Sequence, residues 1–310
     1  MRRSSLLVLA AAALLACLPA TASAQPLPVD YNFFAGIPPE LTNPGGSLPG
    51  ANDPNCVPSP EHPDPVVLLH GTGGGGQTNW GVYAPLLANE GYCVFTLTYG
   101  AYGLPWPISA IGGMRPIEQS AAEVSAFVDG VLARTGAERV DLIAHSQGNI
   151  VGNFYIKRLG GADKVGKLVA IAPPWLGTNA FGAGDIAHFS RALGVGPAFD
   201  AVSSSLCQAC GQMFTGSPFM TALNADGVYD PRVSYTNIVS AIDELVVPHT
   251  SGLVTGPNAT SIVVQDGCAQ DWSEHLAIAG SPRAAGHVLN ALDPARQASV
   301  PCEFVPPFTG

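Results

Sequence analysis

Charged residues are scarce in this chain, and positive charge is the scarcest. Asp, Glu, Lys and Arg together make up 12% of the 310 residues, and the formal net charge is −10. Ordinary soluble domains carry about 25% charged residues. Proteins that bind nucleic acid need a basic surface to meet the phosphates, so this composition argues against a nucleic-acid partner. A weakly charged surface rich in Gly, Ala and Pro suits work near apolar material.

Long apolar runs are absent after the first residues. The run Leu6–Leu18 follows two arginines and is succeeded by Ala-Ser-Ala ending at Ala24; a membrane span needs roughly 18 apolar residues, so this run is too short. The order is typical of a secretory signal peptide. We therefore expect residues 1–24 to be removed and the protein to be exported, with no integral membrane segment. An alternative is a lipobox at Leu-Leu-Ala-Cys, which would leave a lipid anchor on Cys17.

Cysteine is sparse, but its number is informative. One of the seven cysteines lies in the predicted signal peptide, and six remain. An even set in an exported protein indicates disulfide bonds. Six cysteines can pair in many ways, so the count alone does not give the connectivity. The six are Cys56, Cys93, Cys207, Cys210, Cys268 and Cys302.

Apolar strands alternate with helices along most of the chain. Continuous apolar runs predict strands that are buried on both faces, and amphipathic segments between them predict helices. The predicted strands are 65–70, 93–99, 139–144, 167–172, 233–241 and 261–266, and the predicted helices are 82–90, 117–135, 148–159 and 283–292. The alternation indicates an α/β fold, with a mostly parallel sheet of right-handed βαβ units and helices on both faces.

Two stretches depart from this alternation. Residues 25–64 are rich in Pro, Asn and Gly without any period, and they predict an irregular N-terminal arm. Residues 174–230 form a small apolar insert with scattered aromatic residues. Such folds place lids and substrate pockets in inserts of this kind. The catalytic domain is therefore predicted to span residues 65–310, without internal repeats.

The predicted strand 139–144 ends in the sequence Ala-His-Ser-Gln-Gly. A serine between a buried strand and a helix is typical of a nucleophile elbow, a strained turn that holds the hydroxyl clear of the sheet. Strand and helix pack closely there, and the positions two before and two after the serine are the small residues Ala144 and Gly148. The usual pattern has glycine at the first of these. An ordinary Ser-Gly turn is the alternative interpretation, and we favour Ser146 as a nucleophile.

A serine hydroxyl needs a base, and the base needs a carboxylate to orient it. In this fold the chain order is Ser, then Asp or Glu, then His, on loops that follow later strands. Asp243 follows the strand 233–241, and His275 follows the strand 261–266. We predict these two as acid and base, with Glu244 as the alternative acid. The remaining candidate histidines are less well placed: His70, His145, His249 and His287.

Acyl transfer also needs hydrogen-bond donors for the oxyanion. We predict the backbone N–H of Gln147, at the start of the following helix, as one donor. The second is predicted to be Thr72, through its N–H and also its hydroxyl, in the glycine-rich loop after the first strand. Such a loop could instead cradle a phosphate. The Lys-Ser/Thr pair that closes a P-loop is missing, however.

Three motifs now carry a resemblance: VVLLHGTGGGG, AHSQG and TNIVSAIDELVVP. They resemble the secreted bacterial class 2 triacylglycerol lipases and, more distantly, fungal lipase B of the Candida antarctica type. The oxyanion threonine and the Asp-Glu segment of the fungal enzyme are matched by Thr72 and Asp243–Glu244. The resemblance extends over about 65–292 and is weak across the insert. It implies an α/β-hydrolase fold, no metal or cofactor, and ester hydrolysis through an acyl-serine intermediate.

The resemblance implies one particular pairing of the six cysteines. Cys56–Cys93 would tie the arm to the second strand, and Cys268–Cys302 would anchor the C-terminal tail near His275. Cys207–Cys210 would then be a tight staple within the insert. A Cys-x-x-C pair can also be a redox site, but no thioredoxin-like strand precedes this one.

Together these features predict a secreted serine ester hydrolase, and in the first instance a triacylglycerol lipase. We expect a monomer whose partner is an ester or lipid substrate, including lipid at an oil–water interface. Val246, Val247 and Trp175 are predicted to line the substrate pocket. A short-chain carboxylesterase, a cutinase-like polyester hydrolase and an acyltransferase are alternatives with the same chemistry. Outside this class, a catalytically inactive exported lipid-binding protein could use the same scaffold.

Overall fold

The computed structural model describes residues 25–180 and 207–309. The predicted signal peptide, Cys17 and the part of the insert at 181–206 lie outside the described residues. No helix in the described ranges is both long and apolar enough to cross a membrane.

In the described ranges six strands form a single sheet: β1 (Val66–Leu69), β2 (Val94–Thr96), β3 (Val140–His145), β4 (Val165–Ile171), β5 (Ser234–Val239) and β6 (Ala259–Val263). Every neighbouring pair is parallel, in the order β2-β1-β3-β4-β5-β6. The α/β fold with a parallel sheet is thus confirmed, and each predicted strand is present with shifted ends. Strand β2 lies on one side of β1 within the sheet, and β3 to β6 follow one another on the other side. The direction in which successive strands are added therefore reverses next to β1. Ligands of open α/β sheets bind beyond the carboxyl ends of the strands at such a switch point.

Seven α-helices accompany the sheet in the described residues: α1 (Ile37–Thr42), α2 (Tyr83–Asn89), α3 (Ile117–Thr135), α4 (Gln147–Arg158), α5 (Gln208–Gln212), α6 (Pro218–Leu223) and α7 (Pro282–Leu292). Helices α2, α3, α4 and α7 correspond to the four predicted helices. Helix α3 ends at Gly136, whose φ of 71° is left-handed. Glycine adopts this conformation without the steric cost that other residues incur, so it is a common helix terminator.

Helices cover the sheet on both faces, and β1 shows how. Val67 and Leu69 pack in a cluster with residues of α3 and α4, whereas Val66 and Leu68 pack in a second cluster with residues of α2 and α7. Successive side chains of a strand point to opposite faces, and all four of these are fully buried. A strand buried on both faces reads as an unbroken apolar run, which is why it could be predicted from sequence.

The N-terminal arm is more regular than predicted. It contains a 3₁₀ turn, Phe33–Gly36, that continues directly into α1. The side chain of Asn32 caps the turn by accepting a hydrogen bond of 2.8 Å from the backbone N–H of Phe34. Prolines lie in the first turn of α1, where a missing N–H costs nothing. The proline-rich composition that predicted an irregular arm is therefore compatible with a short helix.

The six cysteines in the described part of the chain form three disulfide bonds, and these are the pairs named above. They join Cys56 to Cys93, Cys207 to Cys210, and Cys268 to Cys302.

Candidate active site

Ser146 lies between β3 and α4 in a strained backbone conformation. Its φ is 53° and its ψ is −123°, a combination that non-glycine residues adopt only where the surrounding structure enforces it. Helix α4 packs so closely against the end of β1 that a Cβ atom on Gly148 would be 2.3 Å from the carbonyl oxygen of Leu69. Any side chain at residue 148 would push the helix away. Ser146 is partly exposed and lines a cavity.

A chain of hydrogen bonds connects Ser146 to His275 and Asp243. The Nε2 atom of His275 is 2.8 Å from Ser146 Oγ, and its Nδ1 atom is 2.8 and 2.9 Å from the two carboxylate oxygens of Asp243. A carboxylate only accepts, so Nδ1 carries the ring hydrogen and Nε2 is left to accept from the serine hydroxyl. The side chains of His275 and Asp243 are 3% and 2% exposed, so water has little access to this pair.

The carboxylate of Asp243 is fixed by its own loop. Its Oδ1 atom accepts hydrogen bonds from the backbone N–H groups of Leu245, at 2.9 Å, and Val246, at 2.7 Å. Glu244, the alternative acid, has a different role: its Oε2 atom accepts from the backbone N–H of His275 at 3.3 Å. The two neighbouring carboxylates therefore hold the ring and the backbone of the same histidine.

His145 lies fully buried beneath the site. Its Nε2 atom donates to the carbonyl oxygen of His275 at 2.9 Å, and its Nδ1 atom is 3.1 Å from Oδ1 of Asn79. Burial is the main cause that lowers the pKa of His145 to about 3, and repulsion from the neighbouring ring of His275 adds to it, since both rings would carry charge if protonated. It is therefore neutral and supports the loop of the catalytic histidine candidate. The same Asn79 oxygen accepts from the N–H of Gly71 at 3.1 Å. No sequence motif marked Asn79.

Thr72 and Gln147 lie side by side next to Ser146. The side-chain amide of Gln147 donates to Thr72 Oγ1 at 3.1 Å and to the carbonyl oxygen of Gly113 at 2.9 Å. Since Thr72 accepts this bond, its hydroxyl hydrogen is directed elsewhere, and Thr72 is exposed. Gln147 is the first residue of α4, so its backbone N–H has no partner within the helix. Sequence reasoning predicted the backbone of Gln147 but missed its side chain.

His70 belongs to the glycine-rich loop. Its Nδ1–H donates to the carbonyl oxygen of Gly71 at 2.8 Å, its Nε2 accepts from the N–H of Tyr99 at 3.2 Å, and its ring stacks on that of Tyr99 at 4.0 Å. Burial lowers the pKa of His70 to about 4. The ring is a neutral structural element of the loop. His249 and His287 do not line the cavity.

A cavity of about 510 Å³ opens onto Ser146, within the range of small-molecule sites. Among the predicted pocket residues, Val246 lines it, whereas Val247 and Trp175 are not among its described lining residues. The backbone of Val247 pairs instead with the segment around Thr178. Trp175 is 1% exposed, and its indole N–H donates to Asn237 of β5 at 2.8 Å. Burial in the core accounts for the absence of Trp175 from the described lining, and the pocket assignments of Trp175 and Val247 stay predictions.

The cavity has further walls that the sequence did not mark. Phe33, Phe34 and Ile37 of the N-terminal arm line it, as do Ala110 and Ile111. In the described part of the chain, no group of three or more His, Cys, Asp or Glu side chains could hold a metal ion.

Comparison with known proteins connects this site to a family. The model of the family "Lipase (class 2)" matches residues 63–283. The structure is similar to lipase B of Aspergillus fumigatus, with a TM-score of 0.55, 16% identity and coverage of 79% of this chain but only 56% of that one. This chain thus spans little more than half the length of the fungal protein.

A second similar structure is the mature form of lipase BlEst2 of Bacillus licheniformis. It has a TM-score of 0.55 and 16% identity, and the match covers 77% of this chain and 96% of that one. At this identity the likeness concerns the fold, which is that of the α/β-hydrolases. The family match covers more than two thirds of the chain, and it contains the serine elbow, Asp243 and His275. The chain therefore belongs to the class 2 lipases.

Proposed function

We propose that the protein is a secreted triacylglycerol lipase that works through a Ser146–His275–Asp243 triad. The single observation that carries this proposal is the hydrogen-bonded chain from Ser146 Oγ, at 2.8 Å, through the ring of His275 to Asp243. That chain opens into a mostly apolar cavity. The three disulfide bonds support export to an oxidising compartment.

Acylation starts when Ser146 Oγ attacks the ester carbonyl and His275 Nε2 takes the hydroxyl proton. Asp243 stabilises the imidazolium that forms. The tetrahedral oxyanion accepts hydrogen bonds from the backbone N–H of Gln147 and from Thr72. His275 then gives its proton to the alcohol oxygen as the ester C–O bond breaks.

Deacylation repeats these steps with water as the nucleophile. His275 removes a proton from the water, which attacks the acyl-serine carbonyl. The same proton returns to Ser146 Oγ as the fatty acid leaves. Neutral His145 leaves His275 as the proton carrier of the site.

Replacement of the nucleophile tests the triad. Ser146→Ala should abolish both p-nitrophenyl ester hydrolysis and labelling by a fluorophosphonate probe, with a loss of about 10⁴-fold or more in kcat. Ser234→Ala is the matched control, because this serine is exposed at the amino end of β5, far along the strand from the site. Retention of full activity in Ser146→Ala, with an intact fold by circular dichroism, would refute the triad.

The substrate class is tested separately with the unmodified enzyme. We expect release of fatty acid from a triolein emulsion as well as from tributyrin, since an apolar cavity stabilises long chains. Hydrolysis of soluble short esters alone would replace the lipase by a short-chain carboxylesterase. If Ser146 supports hydrolysis of neither the emulsified nor the soluble esters, the protein would instead be a catalytically inactive lipid-binding protein.

A further inference from the structure

One wall of the cavity comes from outside the segment that the family shares. The family match begins at residue 63, but Phe33, Phe34 and Ile37 line the cavity. We call residues 33–42 the pocket arm. Phe34 and Ile37 are three positions apart, so they lie on the same face of the helical turn. They are 42% and 38% exposed, which leaves apolar surface open beside Ser146.

The pocket arm is seated on the oxyanion side of the site by direct contact of backbones. A Cβ atom on Gly36 would lie 2.0 Å from the carbonyl oxygen of Gln77, and one on Gly81 would lie 2.3 Å from the backbone nitrogen of Gly36. No side chain fits between these two segments. The arm therefore has a defined distance from the loop that carries Asn79.

Glu40 fixes the arm from within. This carboxylate is 7% exposed, and its Oε2 atom accepts from the side-chain amide of Gln77 at 2.7 Å. Its Oε1 atom accepts from the N–H of Gly45 at 3.0 Å and from the indole N–H of Trp106 at 3.2 Å. The segment that begins at Trp106 continues into Ile111, another lining residue. The buried carboxylate of Glu40 thus fixes the positions of two walls of the cavity relative to each other.

The amino end of the pocket arm is tied to the loop of His275. The N–H of Phe33 donates to the carbonyl oxygen of Thr309 at 2.7 Å. In turn, the N–H of Phe308 donates to Oε2 of Glu274 at 2.8 Å. The ring of Phe33 also contacts that of His145 edge-on, at 6.0 Å between centroids.

From these contacts we infer that Phe34 and Ile37 of the pocket arm contact the hydrocarbon chain of the ester and set the chain-length preference. The inference rests on the ester hydrolysis proposed above. A rigid apolar wall beside the nucleophile favours a chain long enough to reach it, because each methylene it buries is worth about fourfold in kcat/KM. An acetyl group is too short to benefit.

The test compares a wall variant with a variant of the same helix. Phe34→Ala/Ile37→Ala removes the wall, and Leu41→Ala is the matched control, since Leu41 is 61% exposed on α1 and does not line the cavity. Phe33 is left in place because it contacts His145. Two substrate series are measured for kcat/KM: p-nitrophenyl esters from acetate to octanoate, which vary the acyl chain, and alkyl acetates from methyl to octyl, which vary the alcohol.

We expect the ratio of octanoate to acetate, or of octyl to methyl ester, to fall about tenfold in the wall variant, equivalent to somewhat under two methylenes. The affected series identifies the chain that the arm contacts. Leu41→Ala should leave both ratios unchanged. Unchanged ratios in the wall variant would overturn the inference, whether the rates are unaffected or fall equally at every chain length. Failure of the proposed Ser146 mechanism would be seen separately, because hydrolysis would then persist in Ser146→Ala.

Discussion

The substitution Thr72→Val tests the contribution of the Thr72 hydroxyl to oxyanion stabilisation, because the proposed backbone donors remain in place. Valine has nearly the same shape and retains the backbone N–H. Removal of one oxyanion donor costs about 10²–10³ in kcat. Since the N–H groups of Thr72 and Gln147 remain, we expect a loss of about 10², which corresponds to about 2.7 kcal/mol. KM should change little, because the hydroxyl acts on charge that develops only in the transition state.

The variant also has a predictable effect on stability. The amide of Gln147, which is fully buried, donates to Thr72 Oγ1 at 3.1 Å. Valine leaves that N–H without a partner, at a cost of about 1–3 kcal/mol. A lower Tm should therefore accompany the lower kcat.

Gln147→Ala completes a double-mutant cycle. It removes the side chain that orients the Thr72 hydroxyl but keeps the backbone N–H, so we expect a smaller loss of about tenfold in kcat. Once Thr72 is valine there is no hydroxyl to orient, and the double variant should be no slower than Thr72→Val alone. The assay is kcat and KM for p-nitrophenyl butyrate, with Tm as a check of folding. A kcat within about threefold of wild type for Thr72→Val, or two losses that simply multiply, would refute this reasoning.

Two further predictions concern stability. The pKa of His70 is about 4 in the folded protein and about 6.5 unfolded, so the unfolded state takes up its proton first as the pH falls. The stability that neutral His70 contributes is complete above pH ~6.5, and about 3 kcal/mol of it is lost on acidification to pH ~4. Urea unfolding of wild type and His70→Gln over this range should show a shallower pH dependence in the variant, and equal slopes would contradict the expectation. Cys268→Ala/Cys302→Ala opens a loop with a sequence separation of 34, which should cost about 4 kcal/mol by the chain-entropy relation. Calorimetry of the wild type and of this variant, both of which retain the Cys56–Cys93 disulfide, measures the difference in stability. An unchanged Tm would exclude a stabilising role for Cys268–Cys302.

The sheet could be predicted because its strands are buried on both faces. Val66–Leu69 reads as an unbroken apolar run, and Val140–His145 is buried throughout and apolar apart from Asp141 and His145. Few other structures produce such runs between helical segments. The relative positions of Ser146, Asp243 and His275 then followed from topology, since loops at the carboxyl ends of parallel strands meet along one edge. The strand ends were less predictable, because they depend on contacts with distant loops.

The cavity walls could not be predicted in this way. The contact of Glu40 with Trp106 joins residues that are 66 positions apart, and neither has a periodic pattern around it. Trp175 was predicted as a pocket residue because it is an aromatic residue of the small apolar insert 174–230. Its position depends instead on Asn237, a polar residue within a strand, which supplies the acceptor that a buried indole needs. Such pairings are visible only once the chain is folded.

The seating of the pocket arm has a practical consequence for directed evolution. Positions 34 and 37 project from a scaffold that is fastened by glycine contacts and one carboxylate, and neither side chain is hydrogen-bonded to the catalytic apparatus. Saturation libraries at these two codons could therefore retune which esters are cleaved without disturbing the machinery that cleaves them. Randomising Gly36 or Glu40 would instead unseat the whole wall.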